Sequence, residues 1–375
     1  MSGVNLAAVI THCMQNGSIR ASPRQWQVVN HIVTCRTEAL GASLYRCERC
    51  QQRWLWYHSC RDRHCPQCQR DASREWSERQ QAQLLPVPYF HLVFTLPHEL
   101  NGWIEQHAGV IYRLLFQACW RSLNGFGQGR LGGQLGMTAV LHTWGQQVTR
   151  HVHLHCLVPA GVLCRSGRWQ HSQHRYLLPV KALSRRFRGL MVSGLREAYR
   201  HGLLPTCDAQ QINGVLSRLM SKPWVVYSKP ALVYRTCLVT YLARYSHRIG
   251  LSNSRLTAVR AGQIGVVWKD YRRERLRTMW LRPEELVRRF LLHVLPKGFM
   301  RIRHYGYLAN AVKGRCLPEI RTQLSADEDV LSEENTVAKA PEPAGCMQCP
   351  ECGDSHVQRL GEVRGHQPIR SLNSS

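Results

Sequence analysis

Apolar residues recur along this chain at two spacings, helical and extended, punctuated by prolines and glycines. Trp26, Val29 and Val33 follow a helical spacing behind Ser22-Pro23-Arg24-Gln25. There Ser22 suits an N-cap, Pro23 the first helical position and Gln25 the closing residue of a capping box, and Gly41 is expected to end the helix. Residues 69–83 read as a polar helix. The run at 89–96, set off by Pro86 and Pro88, reads as a buried strand. Residues 101–123 read as helix, 137–143 and 151–158 as strands, 180–200 and 231–249 as helices, and 264–268 as a further strand. The glycine-rich stretch 125–136 contains Gly127-Gln128-Gly129-Arg130-Leu131-Gly132, which matches G-x-G-x-x-G. A helix precedes it and a strand follows, the reverse of what a dinucleotide site requires, so it reads as a flexible loop.

Composition adds a core and a partner. Hydrophobic residues make up 44% and charged residues 20% of 375 residues, enough for packed domains, two or three by length. No run approaches the ~18–20 apolar residues that cross a bilayer, and the first 20 residues lack the pattern of a secretory leader. The expectation is a cytoplasmic protein with no membrane partner. Lys and Arg number 50 against 24 Asp and Glu, a net charge of +26. Such a surplus calls for a polyanion, and nucleic acid is the first choice. Residues 325–343 break the trend: they are acidic and poor in aromatics, and read as a solvated linker.

Sixteen cysteines in a reducing compartment point to metal. Cys47-x-x-Cys50 and Cys65-x-x-Cys68 read as two knuckles on one structural Zn²⁺, with Cys35, His58, Cys60 and His64 near enough to substitute or to hold a second ion. Arg61 and Arg63, with Arg49, Arg53 and Arg70, give this segment a DNA-facing character. Cys346, Cys349 and Cys352, with His356, read as a separate small metal site.

In His151-Val152-His153-Leu154-His155 the strand period puts three imidazoles on one face and Val152 and Leu154 on the other. Three unpartnered imidazoles in an apolar strand would be costly, so the pattern points to a metal site with open coordination positions. Tyr241 and Tyr245 lie i, i+4 on a helix beside Arg244 and Arg248, presenting two phenols side by side next to DNA-binding cations. A phenol is a weak nucleophile at neutral pH but can attack a metal-polarised phosphodiester. Stacking platforms for single strands have the composition of Trp224 beside Lys222 and Lys229, although a core role for Trp224 fits better, or of Tyr305 and Tyr307 beside Arg301 and Arg303.

His153-Leu154-His155 resembles the histidine–hydrophobe–histidine motif of the HUH endonuclease superfamily, and Tyr241-x-x-x-Tyr245 resembles the nucleophile helix of its two-tyrosine branch. Leu141-His142-Thr143-Trp144-Gly145-Gln146, Leu295-Pro296-Lys297-Gly298-Phe299 and Arg303-His304-Tyr305-Gly306 resemble rolling-circle insertion-sequence transposases. So does the cysteine segment, from Cys35-Arg36-Thr37 to Arg63-His64-Cys65-Pro66, and the resemblance covers about residues 20–315. It implies that His153 and His155 hold Mg²⁺ or Mn²⁺ against the scissile phosphate with a third ligand that the sequence leaves open: His151 is on the correct strand face, and His142 and Gln146 are rivals. It also implies that Tyr241 and Tyr245 each cut a strand, leaving a 5′-phosphotyrosine and a free 3′-hydroxyl. The implied partners are single-stranded DNA at the element ends, target DNA and host replication or helicase factors.

The expected fold is α+β, with an N-terminal zinc-binding module followed by a catalytic domain whose central antiparallel sheet is flanked by helices. The expected divisions are 1–83 for the module, 84–315 for the catalytic domain, 316–345 for the linker and 346–375 for the cysteine cluster and tail. Two other readings fit the residues: a non-enzymatic zinc-containing DNA-binding protein, and a metal-dependent nuclease that uses activated water.

Overall fold

The computed structural model describes residues 4–172, 179–232, 251–271, 273–326 and 347–365. The chain opens with helix α1 (Leu6–Gln15), capped by the Asn5 side chain, which accepts from the Ala8 amide at 2.9 Å. Helix α2 (Pro23–Thr34) has the capping box expected from Ser22 and Gln25. It stops at Thr34, before Gly41, because Cys35 turns out of the helix to join a sulfur cluster; Gly41, at φ +77°, ends a short 3₁₀ turn instead. Strands β1 (Ala42–Cys47) and β2 (Arg53–Tyr57) form a hairpin, and α3 (Gln69–Ala82) follows the last cysteine of the segment.

Next come β3 (Tyr89–Thr95) and α4 (Asn101–Arg130). The glycine-rich stretch differs from the expected loop: Gly127 and Gly129 lie in the last turns of α4. A Cβ on Gly127 would sit 2.7 Å from the Leu135 side chain, so the small residue serves close packing rather than flexibility. The chain continues through β4 (Gly133–Gln134), β5 (Gly136–Trp144), β6 (Arg150–Pro159), β7 (Gly161–Cys164) and β8 (Trp169–His171). Helices α5 (Val180–Arg200) and α6 (Ala209–Ser221) lead to β9 (Val226–Leu232). Strands β10 (Leu256–Arg260), β11 (Gln263–Asp270) and β12 (Arg275–Leu281) form a three-stranded sheet, followed by α7 (Pro283–Leu291), β13 (Ile302–Gly306), α8 (Lys313–Ala326) and β14 (Val357–Val363).

The fold is α+β, and its centre is a five-stranded antiparallel sheet in the order β13-β5-β6-β3-β9. Strand alternation divides the side chains between its two faces. Phe90, Leu92, Phe94, Met137, Ala139, Leu141, Val152, Leu154 and Cys156 pack against α4 and α5, with Phe94 edge-on to Phe187 at 5.0 Å. The opposite face carries His91, His142, His153 and His155. Farther along it, Tyr89, Val140 and Leu157 share a second core with Trp76 of α3 and with Leu317, Ile320 and Leu324 of α8. Residues 316–326 are therefore packed helix rather than the start of a linker, because their apolar side chains recur at i, i+3 and i+7. A third core joins α1 and α2 to the β10–β12 sheet and α7. The last strand, β14, pairs antiparallel with β1, so the final cysteine segment belongs to the N-terminal hairpin rather than standing apart.

Candidate metal centres

Three clusters of metal-binding side chains occur among the described residues, and in each the ligand atoms lie within 4.8 Å of one another. The first is Cys35, Cys60, Cys65 and Cys68. Cys35 sits at the end of α2 and Cys68 at the start of α3, so the cluster fixes both helices. The amides of Cys60 and Asp62 donate to the sulfurs of Cys35 and Cys60, each at 3.5 Å. Sulfur–sulfur hydrogen bonding lowers the Cys35 and Cys68 thiols and raises those of Cys60 and Cys65; four thiolates this close repel one another, and a cation between them offsets that repulsion.

The second cluster is Cys47, Cys50, Cys349 and Cys352. This corrects the single site expected from Cys47, Cys50, Cys65 and Cys68: the two knuckles face different partners. Neither His58 nor His64 joins a cluster. His58 pairs with the Ser43 hydroxyl at 3.1 Å. Nδ1 of His64 donates to Asp62 at 2.7 Å, and its Nε2 accepts from the Leu295 amide at 3.2 Å, tying the cysteine segment to the chain before β13. His356 bonds Asp354 at 2.9 Å, and Cys346 lies outside the described residues.

The third cluster is His142, His153 and His155. The β5–β6 register sets His142 directly opposite His153 and Val140 opposite His155, which brings an imidazole from the neighbouring strand beside the two predicted ones. Ring centroids of His142 lie 5.2 Å from His153 and 4.2 Å from His155. His151, a candidate for the third ligand, shares the face but is exposed and lines a cleft with His98, Arg150 and Lys222. Gln146 is turned away, its amide donating to the Tyr271 hydroxyl at 3.3 Å.

Hydrogen bonds orient the rings. Nδ1 of His153 donates to the His151 carbonyl at 3.0 Å. His91 on β3 stacks on His155, with its Nε2 2.8 Å from the His155 Nδ1. In the tautomers where Nδ1 donates, both His153 and His155 present their Nε2 lone pairs as ligands. Burial pushes the His153 and His91 imidazoles down to about 4 and holds His142 and His155 well below the usual range. Neutral imidazole is the form that binds a metal. Arg301, just before β13, is buried, and desolvation lowers its guanidinium to about 9, still cationic at neutral pH.

Comparison with known proteins gives this geometry a family. Residues 136–315 match the family described as "Putative transposase", and residues 7–96 match the transposase zinc-binding domain. "Putative transposase y4qJ" of Sinorhizobium fredii is 38% identical over 348 residues, covering 88% of this chain and 87% of that protein. The transposase for insertion sequence element IS801 of Pseudomonas savastanoi is 27% identical over 326 residues, covering 82% of this chain and 76% of its own length. The chain belongs to the IS91/IS801 family of insertion-sequence transposases.

In this transposase the zinc-binding domain contains the first cysteine cluster and the Cys47–Cys50 pair, whereas Cys349 and Cys352 lie beyond it. All three clustered histidines fall within the transposase match. So do Tyr241, Arg244, Tyr245 and Arg248 by number, but these four lie outside the described residues. Of the arginines expected at DNA, Arg61 is exposed, whereas Arg63 is half-buried and donates to the Phe299 carbonyl, which makes it a strut between elements. Trp224 is core: it is 4% exposed and its indole donates to the Leu219 carbonyl. Tyr307 is buried too, and Tyr305 stacks on Trp120 at 5.3 Å. The described residues contain no helix long and apolar enough to cross a membrane.

Proposed function

We propose that this transposase nicks and rejoins single-stranded DNA by tyrosine attack at a metal site formed by His142, His153 and His155. The observation that carries the reading is the convergence of three neutral imidazoles from two adjacent strands, two of them oriented by Nδ1 hydrogen bonds. Three nitrogen ligands on a sheet face leave coordination positions open, and among hard divalent ions they suit Mn²⁺ better than Mg²⁺. Such an ion would act as a Lewis acid toward a non-bridging phosphate oxygen. His142 rather than His151 is the third ligand in this proposal.

The phenolate oxygen of Tyr241 or Tyr245 attacks phosphorus, the bond to the 3′ oxygen breaks, and that oxygen takes up a proton. A 5′-phosphotyrosine remains, which a 3′-hydroxyl later attacks to rejoin DNA and release the tyrosine. With two phenols, one can hold the donor end while the other opens the target. The buried Arg301 supports the reading: its Nη2 has no hydrogen-bond partner among the described residues, and its charge acts on His142, as suits a site for an anion.

The test is covalent capture. Labelled single-stranded DNA and Mn²⁺ should give a protein-linked band on denaturing electrophoresis with wild type. Tyr241→Phe plus Tyr245→Phe should lose the band while DNA affinity changes less than about twofold. Cleaved DNA with no adduct in the wild type would replace this reading with water-activated hydrolysis. Binding with neither cleavage nor adduct would make the protein a zinc-containing DNA-binding module.

A further inference from the structure

We infer that Cys47, Cys50, Cys349 and Cys352 form a second zinc site, distinct from that of Cys35, Cys60, Cys65 and Cys68, which clasps the segment 347–365 onto the N-terminal hairpin. The sulfurs pair across the two segments, Cys47 with Cys352 at 3.6 Å and Cys50 with Cys349 at 3.5 Å, between residues as far as 305 apart in sequence. Four thiolates around one ion make a closed tetrahedral set, the chemistry of structural Zn²⁺.

The two halves have the same local architecture. In the first, the Gln51 amide donates to the Cys47 carbonyl at 3.1 Å, and the Cys47 amide donates to the Gln52 carbonyl at 2.9 Å. In the second, the Gly353 amide donates to the Cys349 carbonyl at 3.0 Å, and the Cys349 amide donates to the Asp354 carbonyl at 2.8 Å. The residue after each pair, Gln51 or Gly353, has positive φ, +60° and +74°. Two knuckles with one hydrogen-bond pattern facing each other across four sulfurs are what a single tetrahedral ion requires.

Independent packing evidence supports the clasp. β14 runs along β1 from Cys47 opposite Val357 to Ala42 opposite Val363, and the Glu48 amide donates to the His356 carbonyl at 3.0 Å. At the far end of the strand, a Cβ on Gly41 would lie 2.5 Å from the Val363 carbonyl oxygen, and one on Gly365 would collide with the Ala39 carbonyl and the Gly41 amide. These glycines are tight only because the two segments meet. A metal that closes so long a loop removes much chain entropy from the unfolded state, so the hairpin and the distant segment should order together.

Zinc content and cobalt substitution on the full chain test the site. Thiolate-to-cobalt charge transfer is the readout, because it counts sulfur ligands and ignores the histidine cluster. Cys349→Ser plus Cys352→Ser should remove one zinc per chain and halve that band. Cys47→Ser plus Cys50→Ser should do the same, and all four changes together should lose no more than either pair. If the Cys349/Cys352 variant keeps its zinc and full band, Cys47 and Cys50 take their metal from elsewhere and the inference fails. A protease site placed within 327–346 gives a check free of folding effects. After cutting, residues 347–375 should stay with the body and leave when a chelator strips the zinc. Release before chelation, or retention after zinc is gone, would show that the metal is not the clasp.

Discussion

At the scale of single residues, His91 has the least conspicuous sequence signal of the site. It stands in an apolar run at 89–96 and reads as one polar residue in a buried strand, yet its Nε2 meets the Nδ1 of His155 at 2.8 Å. It touches no substrate in the proposed chemistry and acts through His155 as a positioning residue. Replacing it by Phe should weaken Mn²⁺-dependent nicking about 10–100-fold, the usual cost of losing a ligand's outer partner. High Mn²⁺ should recover much of that activity, and His91→Gln, which keeps an acceptor, should stay closer to wild type. A Mn²⁺ titration of nicking checks this; a drop that no Mn²⁺ concentration recovers would argue for damaged packing. The contrast with His153 and His155 shows what the sequence could reveal. Their period of two lies within one strand, whereas His91 and His142 join them only through pairing with β3 and β5, a register that no local pattern encodes.

At the scale of elements, the features legible in the sequence rest on local signals. The capping box at Ser22, the proline-bounded strand at 89–95 and the long helices each follow from residues within one or two turns. Tertiary demands override the local pattern elsewhere: α2 ends early where Cys35 leaves for its cluster, and α4 runs through Gly127 because Leu135 packs there. β13 has a similar constraint. It ends at Gly306, which has φ +63° and sits so close to Leu135 that a Cβ would collide with its carbonyl oxygen. Gly306→Ala therefore combines backbone strain with a clash against main chain, and should cost about 3 kcal/mol or more. Because β13 pairs with β5 from Ile302 opposite Val140 to Gly306 opposite Gly136, the loss should reach the strand that carries His142. Thermal unfolding measures the cost. A change below about 1 kcal/mol would mean that the Gly306 turn relaxes more easily than its contacts imply.

At the scale of the whole molecule, charge was fully legible because it is additive: a net +26 needs no knowledge of the fold. The meeting of residues 47–50 with 349–352 was not, because two short cysteine pairs far apart carry no mark of which other pair they face. The same contrast bears on DNA affinity. Among single arginines, Arg63 is a strut and Arg301 is buried while Arg61 stays exposed, but the summed field does not depend on any one of them. Affinity for single-stranded DNA should therefore fall steeply with salt, because each phosphate neutralised releases condensed counterions. At about −0.7 per contact on single strands, a footprint of five or more phosphates gives a slope of log K against log salt of about −3.5 or steeper. Fluorescence anisotropy on a short labelled strand, across a series of salt concentrations, measures it. The Tyr241→Phe, Tyr245→Phe variant should give the same slope, since phenols carry no charge at neutral pH. A slope near −1 would assign the affinity to stacked bases, and would leave most of the positive surplus without a role in holding the strand.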